Sequence, residues 1–262
     1  MTIVKHELKM NLKSLLIWSI TIGIMAFAFM LMFPLLKDSL KGMEDQIKSM
    51  KEFSAAFDLD KLSVYTPMGY YGTQVGYILS LGGSMFAALL GTGMLSKEEG
   101  GHTAEFLLST PISRGNVVLQ KMWAMLITII LFELAYIILI LISFILIGEP
   151  IAGKEFWLYH VAQFCMHLEI ACICFCISAF LKKASIGLGL ALSLSLYFLD
   201  IIEKTISKLE VLKYITPFTY AGAGDIMTNG RIQGDLLLIG ITVSILCVTI
   251  SYVKYVKKDI AA

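Results

Sequence analysis

The sequence predicts an all-α integral membrane protein, because it is too apolar for a water-soluble domain and its apolar residues lie in long runs. Hydrophobic residues make up 57% of the 262 positions and charged residues only 16%, with a mean hydropathy of +0.79. The chain lacks the period-two alternation of a β-barrel, so the runs are expected to be helices. Six runs are long enough to cross about 30 Å of hydrocarbon at about 1.5 Å per residue, namely 15–36, 77–95, 123–147, 158–181, 184–202 and 236–253.

The distribution of lysine and arginine predicts which side of the membrane holds each loop. Eleven of these residues flank the amino-terminal side and ten the opposite side, but the ten are spread over much longer loops. Because basic residues near the span ends are retained in the cytoplasm, both termini and the loop 97–121 are expected there. The segments 37–76 and 203–234 are then the outer loops of a single six-span domain covering 1–262.

Three shorter segments outside the spans also have recognisable patterns. Residues 1–14 place Lys5, Lys9 and Lys13 on one helical stripe beside an apolar one, which predicts an amphipathic helix at the membrane surface. The alternative is a basic flank that only sets topology. Apolar residues at three- and four-residue steps predict a further amphipathic helix over 39–57, and the segment 65–72 is expected to be turn-rich.

Small residues recur every fourth position in the second and fifth predicted spans. Such stripes let helix backbones approach closely in lipid, so these two spans are expected to pack tightly, within one subunit or across a dimer interface. The stripes are Gly76, Ser80, Ser84, Ala88, Thr92 and Gly83, Ala87, Gly91 in span two, and Ser185, Gly189, Ser193 and Gly187, Ala191, Ser195 in span five.

Several functional classes are disfavoured by the sequence. A net charge of +1 does not provide the concentrated basic surface that a nucleic-acid partner needs. The stretch 148–154 resembles a phosphate-binding loop, but Glu155 stands where a Ser or Thr hydroxyl would hold magnesium. The five cysteines are an odd number and all lie inside apolar runs, which is typical of small buried side chains, so neither a disulfide framework nor a metal site is predicted.

An intramembrane protease is the enzyme class that fits the residues best, and it fits poorly. The adjacent acids Glu98 and Glu99 match one family of membrane proteases, which also needs an arginine where this chain has Thr103. A His-Glu-x-x-His zinc helix is absent from the sequence. We therefore expect a protein that performs no catalysis of its own.

Two acidic residues, Glu133 in span three and Glu169 in span four, lie deep in the predicted membrane. An ionisable group there is costly unless it is paired or wetted, so each needs a partner or a cavity. Candidate partners are His167, His160 and Gln163, and helical depth would also allow the two acids to meet. Lining of a substrate route and a structural interhelical hydrogen bond remain equally compatible with this pattern.

The loop 97–121 carries the most informative local pattern. Gly100 and Gly101 interrupt a helix, Thr103 and Ser113 are suitable caps, and Pro111 is a helix breaker. A short surface helix is therefore predicted between the breakers. It exposes Phe106, Leu107 and Leu108, which need lipid or a protein groove to cover them.

The residues of this loop resemble those of permease subunits of type-two ATP-binding-cassette exporters. The similarity rests on Glu98-Glu99, then Gly101, Thr103, Glu105, Leu107-Leu108, Pro111, Ser113-Arg114 and Lys121, with a second segment at Leu212, Ile215, Thr216, Pro217 and Phe218. The six-span plan extends the resemblance over the whole chain, and it is closest to the bacterial branch that exports peptides, antibiotics or sodium.

The resemblance implies a function and a set of partners. In that family the loop between spans two and three is a coupling helix that docks on a separate ATPase, which here assigns Glu98, Glu99, Thr103, Glu105, Phe106, Leu107, Leu108, Pro111 and Arg114 to ATPase coupling. Two ATPase subunits would bind ATP and magnesium, while this chain binds no cofactor directly. A second permease copy or paralogue would complete the route for an amphipathic peptide, antibiotic or other hydrophobic compound, in the cell membrane of a bacterium. The competing hypothesis is an ATP-independent ion-coupled carrier or channel that uses Glu133 and Glu169.

Overall fold

The computed structural model describes residues 2–101, 103, 112–150 and 153–258, and every regular element in these ranges is helical. Six helices in the described ranges are long and apolar enough to cross a membrane. The all-α membrane architecture predicted from the sequence is thus confirmed. The helices are α1 (Thr2–Ser49), α2 (Lys51–Ala56), α3 (Pro67–Tyr70), α4 (Gly76–Met94), α5 (Lys97–Gly100), α6 (Arg114–Ile147), α7 (Lys154–Phe180), α8 (Ile186–Thr205), α9 (Ala223–Asn229) and α10 (Gly234–Lys257).

The first helix is much longer than the predicted span. Residues 2–14 are helical as expected, but they are continuous with the spanning segment rather than a separate surface helix. The same helix runs on to Ser49, which includes most of the segment predicted as an outer amphipathic helix. No proline precedes Pro34 in this helix, so nothing in the sequence separates residues 2–14 from the span, and Pro34 itself lies inside the helix without ending it.

The second span begins at Pro67, ten residues or nearly three helical turns earlier than predicted, because the segment 65–72 is largely helical and not turn-rich. Thr66 caps α3 by accepting a hydrogen bond from the backbone of Gly69, and Pro67 occupies the first turn, where its missing N–H costs nothing. A π-helical segment, Tyr71–Val75, then joins α3 to α4. A π turn widens the helix locally, and here it lies where Tyr71 enters the core.

The helices α4 and α7 form the centre of the bundle, and most of their residues are buried. Small side chains permit this packing: Gly91 lies against the carbonyl of Ala171, and Gly83 against the ring of His167. The tight packing predicted for span two is therefore confirmed.

The fifth span matches its prediction on one face only. On that face Ser193 hydrogen-bonds Ser84 at 2.7 Å, and Gly189 lies beside Ala88 of α4. The other stripe of small residues, Gly187, Ala191 and Ser195, is exposed. This helix and α10 bury few of their residues within the chain, which leaves broad apolar faces.

The first and last described residues, Thr2 and Lys258, lie at one end of the bundle, called here the terminal end. The backbone N–H of Ile3 donates to the side chain of Gln120, and Arg114 donates to the carbonyl of Lys258. At the opposite, far end, a 3-10 helix, Ser207–Tyr214, and α9 lie between the last two spans. Short helices are thus present in the segment 203–234.

Candidate coupling site and polar clusters

The base of the loop 97–121 is attached to the bundle by backbone hydrogen bonds. The N–H groups of Leu95 and Ser96 both donate to the hydroxyl of Ser178, at 2.9 and 3.1 Å, near the end of α7. On the other side of the loop, Ser113 caps α6 by accepting from the N–H of Asn116, as predicted. The two ends of the loop are therefore fixed by α7 and by a capped helix.

A buried ion-pair network lies directly beneath the loop. The ammonium group of Lys121 contacts the carboxylates of Glu7 at 2.6 Å and Glu98 at 2.5 Å, and it donates to the carbonyl of Met94 at 2.8 Å. Lys97 pairs with the second oxygen of Glu7. Lys121 is fully buried, so among the described residues its charge is stabilised by the carboxylates of Glu7 and Glu98 and by the carbonyl of Met94. The network joins α1, the end of the second span and α6.

A second set of contacts extends this network to the last helix. Glu99 pairs with Lys258 at 2.6 Å, and the same ammonium group donates to the carbonyl of Leu181 at 2.7 Å. Arg114 donates to the Lys258 carbonyl at 2.5 Å, while Gly115 packs against the ring of Tyr252. Movement of the loop would therefore displace segments of five of the six spans.

Four of the predicted coupling residues are brought together here. Glu98, Glu99 and Arg114 belong to the network, and Thr103 bonds the carbonyl of Glu98. The remaining predicted coupling residues, Glu105, Phe106, Leu107, Leu108 and Pro111, lie outside the described residues. Sequence reasoning missed Glu7 and Lys258. The only available indication for Glu7 was that it is the sole acid among the basic residues of the first fourteen positions.

The acid in span three has the histidine partners predicted for it. The Nδ1 atom of His167 lies 2.5 Å from Oε1 of Glu133, and Nδ1 of His160 lies 3.8 Å from Oε2. The third suggested partner, Gln163, bonds Ser80 and the carbonyl of Ala221 instead. The side chains of Glu133, His160 and His167, called here the Glu133 cluster, are almost completely buried.

The acid in span four belongs to a different site. Glu169 accepts a hydrogen bond from the hydroxyl of Tyr220 at 2.8 Å and lies against Gly240 of α10. The possibility that Glu133 and Glu169 meet is therefore wrong. Glu133 binds His167. Glu169 lies two residues further along α7, so its side chain leaves the helix about 200° around the axis from His167 and faces other elements.

The far end contains a charged cluster that sequence reasoning did not identify. Lys204 lies between Asp58 at 3.0 Å and Asp200 at 3.1 Å, and Lys61 bridges Asp58 at 3.6 Å to Asp225 at 2.8 Å. These contacts join the segment after α2 to α8 and α9. The Asp58–Lys204 and Lys61–Asp225 pairs join residues separated by long stretches of sequence, so no local pattern could have indicated these two contacts.

The electrostatics of Asp58 follow from its position. Burial alone would raise the pKa of its carboxyl group, but the ammonium groups of Lys204 and Lys61 outweigh burial and hold the pKa below the ordinary value of 3.8. The residue also adopts a left-handed backbone conformation, with φ of 54°, which Asp tolerates better than most residues. Asp58 is therefore an ionised group held in a defined conformation at the far end.

The cysteines do not form a reactive or metal-binding centre in the described part of the chain. All five are free, and within the described ranges no three His, Cys, Asp or Glu side chains are arranged to hold a metal ion. The stretch 148–154 joins two helices: Gly148, in the left-handed region, ends α6, and Lys154 begins α7.

Comparison with known proteins gives the family of the chain. A comparison with curated proteins finds no match. A family model described as "ABC-2 family transporter protein" matches residues 1–260, which is nearly the whole sequence. Family members are transmembrane components that associate with ABC ATPases. With six membrane-spanning helices and a match over its full length, the chain belongs to the ABC-2 transporter permease family and is the membrane subunit of an ABC transporter.

Proposed function

We propose that this chain is half of the membrane route of an ATP-driven exporter, and that the loop 97–121 couples this route to a separate ATPase. The observation that carries the proposal is the buried network of Glu7, Lys97, Glu98 and Lys121 at the base of the loop. A docking loop transmits force only if its ends are rigidly joined to the spans. This network and the Glu99–Lys258 pair provide such a joint.

In this mechanism the ATPase subunits bind ATP and Mg²⁺ and supply the driving force, while this chain binds neither. Closure of two ATPase subunits displaces the coupling loop. Because Lys121 holds both the end of the second span and the start of α1, the displacement moves these helices together with α6. A concerted tilt of several helices is what an alternating-access cycle requires.

We further propose that the terminal end lies in the cytoplasm of a bacterium. The support is the distribution of uncompensated charge at this end: Glu7, Glu98 and Glu99 are all occupied by internal ion pairs. In contrast, seven lysines of this end are exposed and have no carboxylate partner among the described residues. They are Lys5, Lys9, Lys13, Lys182, Lys183, Lys254 and Lys257. Such an excess is typical of cytoplasmic membrane borders.

The proposed assembly contains a second permease, identical or paralogous, and exports an amphipathic peptide, antibiotic or other hydrophobic compound. Its support is the exposed stripe of Gly187, Ala191 and Ser195 on α8, which has no partner among the described residues. Exposed small residues allow close approach of another helix in lipid. The apolar faces of α8 and α10 would then line or flank the route for an apolar cargo.

The coupling proposal is tested by Leu107→Asp and by Glu105→Arg in the assembled transporter. Both changes are expected to abolish transport and substrate-stimulated ATPase activity, because they remove the apolar or the charged contact with the ATPase groove. Membrane insertion should be unaffected. Leu209→Asp, at an exposed position of the far end, is the matched control and should leave coupling intact. Normal transport by both loop variants would show that the loop is not the coupling element.

The alternative, an ATP-independent ion-coupled carrier, is favoured by one observation, the buried acid–histidine cluster at Glu133. Purification distinguishes the two functions. An ABC ATPase that copurifies in stoichiometric amounts supports the exporter. Transport by the isolated chain in liposomes, without ATP, supports the carrier.

A further inference from the structure

We propose that Glu133, His160 and His167 form a proton-binding site inside the membrane, in which one exchangeable proton on Nδ1 of His160 pairs with Oε2 of Glu133 while His167 remains a neutral donor. The cluster joins α6 and α7 and lies in the buried core of the bundle. Its geometry includes three buried polar atoms without a hydrogen-bond partner in the described chain: Oε2 of Glu133, Nδ1 of His160 and Nε2 of His167.

The contact between Glu133 and His167 accounts for one hydrogen bond of the carboxylate. At 2.5 Å, Nδ1–H of His167 donates to Oε1. The other ring nitrogen, Nε2, faces Gly83 and has no acceptor, so a neutral ring leaves only a lone pair unpaired there. An imidazolium at His167 would instead bury an unpaired N–H bearing charge, which is the more costly arrangement. His167 is therefore best satisfied as a neutral donor.

The second carboxylate oxygen of Glu133, Oε2, faces Nδ1 of His160. A proton on that nitrogen would give Oε2 a hydrogen-bond donor. Oε2 and Nδ1 of His160 are 3.8 Å apart, and neither has another partner in the described chain. On its other side, Nε2 of His160 lies 3.0 Å from the hydroxyl of Tyr71. If Nε2–H donates to that hydroxyl, two acceptors face each other at Nδ1 and Oε2, which explains their separation. A proton on Nδ1 gives His160 a second donor, aimed at Oε2.

The charge balance points to the same conclusion. With both imidazoles neutral, the cluster carries one negative charge in a medium without water, which is strongly unfavourable. One added proton makes the cluster electrically neutral and gives Oε2 a donor. The proton comes from water and returns to water when the site opens. No other atom or bond changes.

In the described ranges, the elements around the cluster place no unpaired charge beside it. From α6 and α7 the hydroxyls of Tyr136 and Tyr159 face this region, and they donate to backbone carbonyls of the second span, at Val75 and Gly76. From the same span, Tyr77 bonds Asp58 of the far-end cluster, whose charges are paired with one another. The part of α1 that crosses the membrane, 14–36, contains no titratable side chain. Among the described residues, Tyr71 forms the one hydrogen bond to the cluster from outside α6 and α7, and Gly83 of α4 packs on the ring of His167 without a polar side chain.

The experiment is a nitrogen NMR measurement on the full chain in lipid nanodiscs, labelled with [15N]histidine. The chain has four histidines, His6, His102, His160 and His167, so the spectrum is simple. At about pH 8 a free histidine is neutral. We expect one imidazolium signal at that pH, assigned to the cluster by its loss in His160→Gln, while the exposed His6 serves as a reference.

Glu133→Gln is the decisive variant, because it keeps the shape of the side chain and removes the charge that holds the proton. The imidazolium signal should disappear in it. Glu169→Gln, which changes the other intramembrane acid, is the matched control and should leave the signal unchanged. The proposal is overturned if the wild-type protein shows no imidazolium at about pH 8, an outcome that does not depend on the folding of any variant. It is equally overturned if the signal persists in folded Glu133→Gln.

Discussion

Lys121 shows how one side chain joins distant parts of this protein. Its ammonium group is fully buried near the terminal end, where it contacts two carboxylates and a backbone carbonyl. A buried ion pair adds little net stability compared with an apolar substitute, but removal of one partner leaves the other charge without compensation. The consequence is a joint that is specific in geometry and sensitive to single substitutions.

Lys121→Met tests this joint. The variant leaves Glu98 and one oxygen of Glu7 without their buried cation, and we expect a loss of about 3–5 kcal/mol in the free energy of unfolding. Unfolding by denaturant in detergent measures it. Lys9→Met, at an exposed position of the same helix as Glu7, is the control and should change stability by less than about 0.5 kcal/mol. Equal stability of the two variants would contradict the network.

Gly83 and Gly93 provide a second comparison of single residues, on one helix. A methyl group at position 83 would overlap the buried ring of His167, whereas nothing lies within contact of position 93. We expect Gly83→Ala to cost about 1–3 kcal/mol and Gly93→Ala to be neutral or to stabilise by up to about 1 kcal/mol. Thermal unfolding of the two variants side by side checks this order, and a reversed order would contradict the described packing of α4 on α7.

The far-end cluster acts between elements. Asp58, after α2, is joined through Lys204 to α8 and through Lys61 to α9, so one acid connects both segments predicted as outer loops. The side chain of Asp58 also packs directly on Gly224 of α9. These contacts join α8, α9 and the segment after α2 at the far end.

Acid titration tests the role of Asp58. Because its pKa lies below the ordinary 3.8, the ionised form contributes stability that is fully present above that value and is lost as the pH falls through the folded-state pKa. We expect the wild-type protein to lose stability below about pH 3.8 more steeply than Asp58→Asn does. Asparagine tolerates the same left-handed backbone conformation, so the variant changes the charge alone. Parallel acid profiles would exclude a contribution of this ion pair.

At the scale of the whole molecule, the bundle is organised around two buried helices and four peripheral ones. The peripheral helices expose large apolar side chains such as Ile186, Phe198, Leu238 and Ile245, which lipid or another permease can cover without cost. In α8 the two stripes of small residues have different environments: one packs on α4 and the other is exposed. The exposed stripe of Gly187, Ala191 and Ser195 is therefore the face of α8 that we expect a second copy to contact.

Cysteine cross-linking tests the proposed contact between copies. In a variant without the five native cysteines, Ser195→Cys should form a covalent dimer on mild oxidation in the membrane, since residues near the twofold axis of a symmetric interface meet their own copies. Ser193→Cys, two residues away and buried against Ser84, is the control and should remain monomeric. Cross-linking at neither position would place the second permease on another face.

The sequence alone determined the helical class, the approximate positions of the six spans, the cap at Ser113 and the location of the loop between spans two and three. These properties depend on local hydropathy, on residues that cap or break helices, and on the membrane thickness. Only the tertiary structure decided which charges meet, as for Glu7 with Lys121 and Asp58 with Lys204, and which of the two intramembrane acids pairs with His167. The pairing depends on how each helix is rotated about its axis, which is set by close packing at residues such as Gly83 and Gly91. The structure also shows that α1 continues from Thr2 to Ser49. The change from headgroup region to hydrocarbon does not by itself end a helix, so hydropathy could not predict this length.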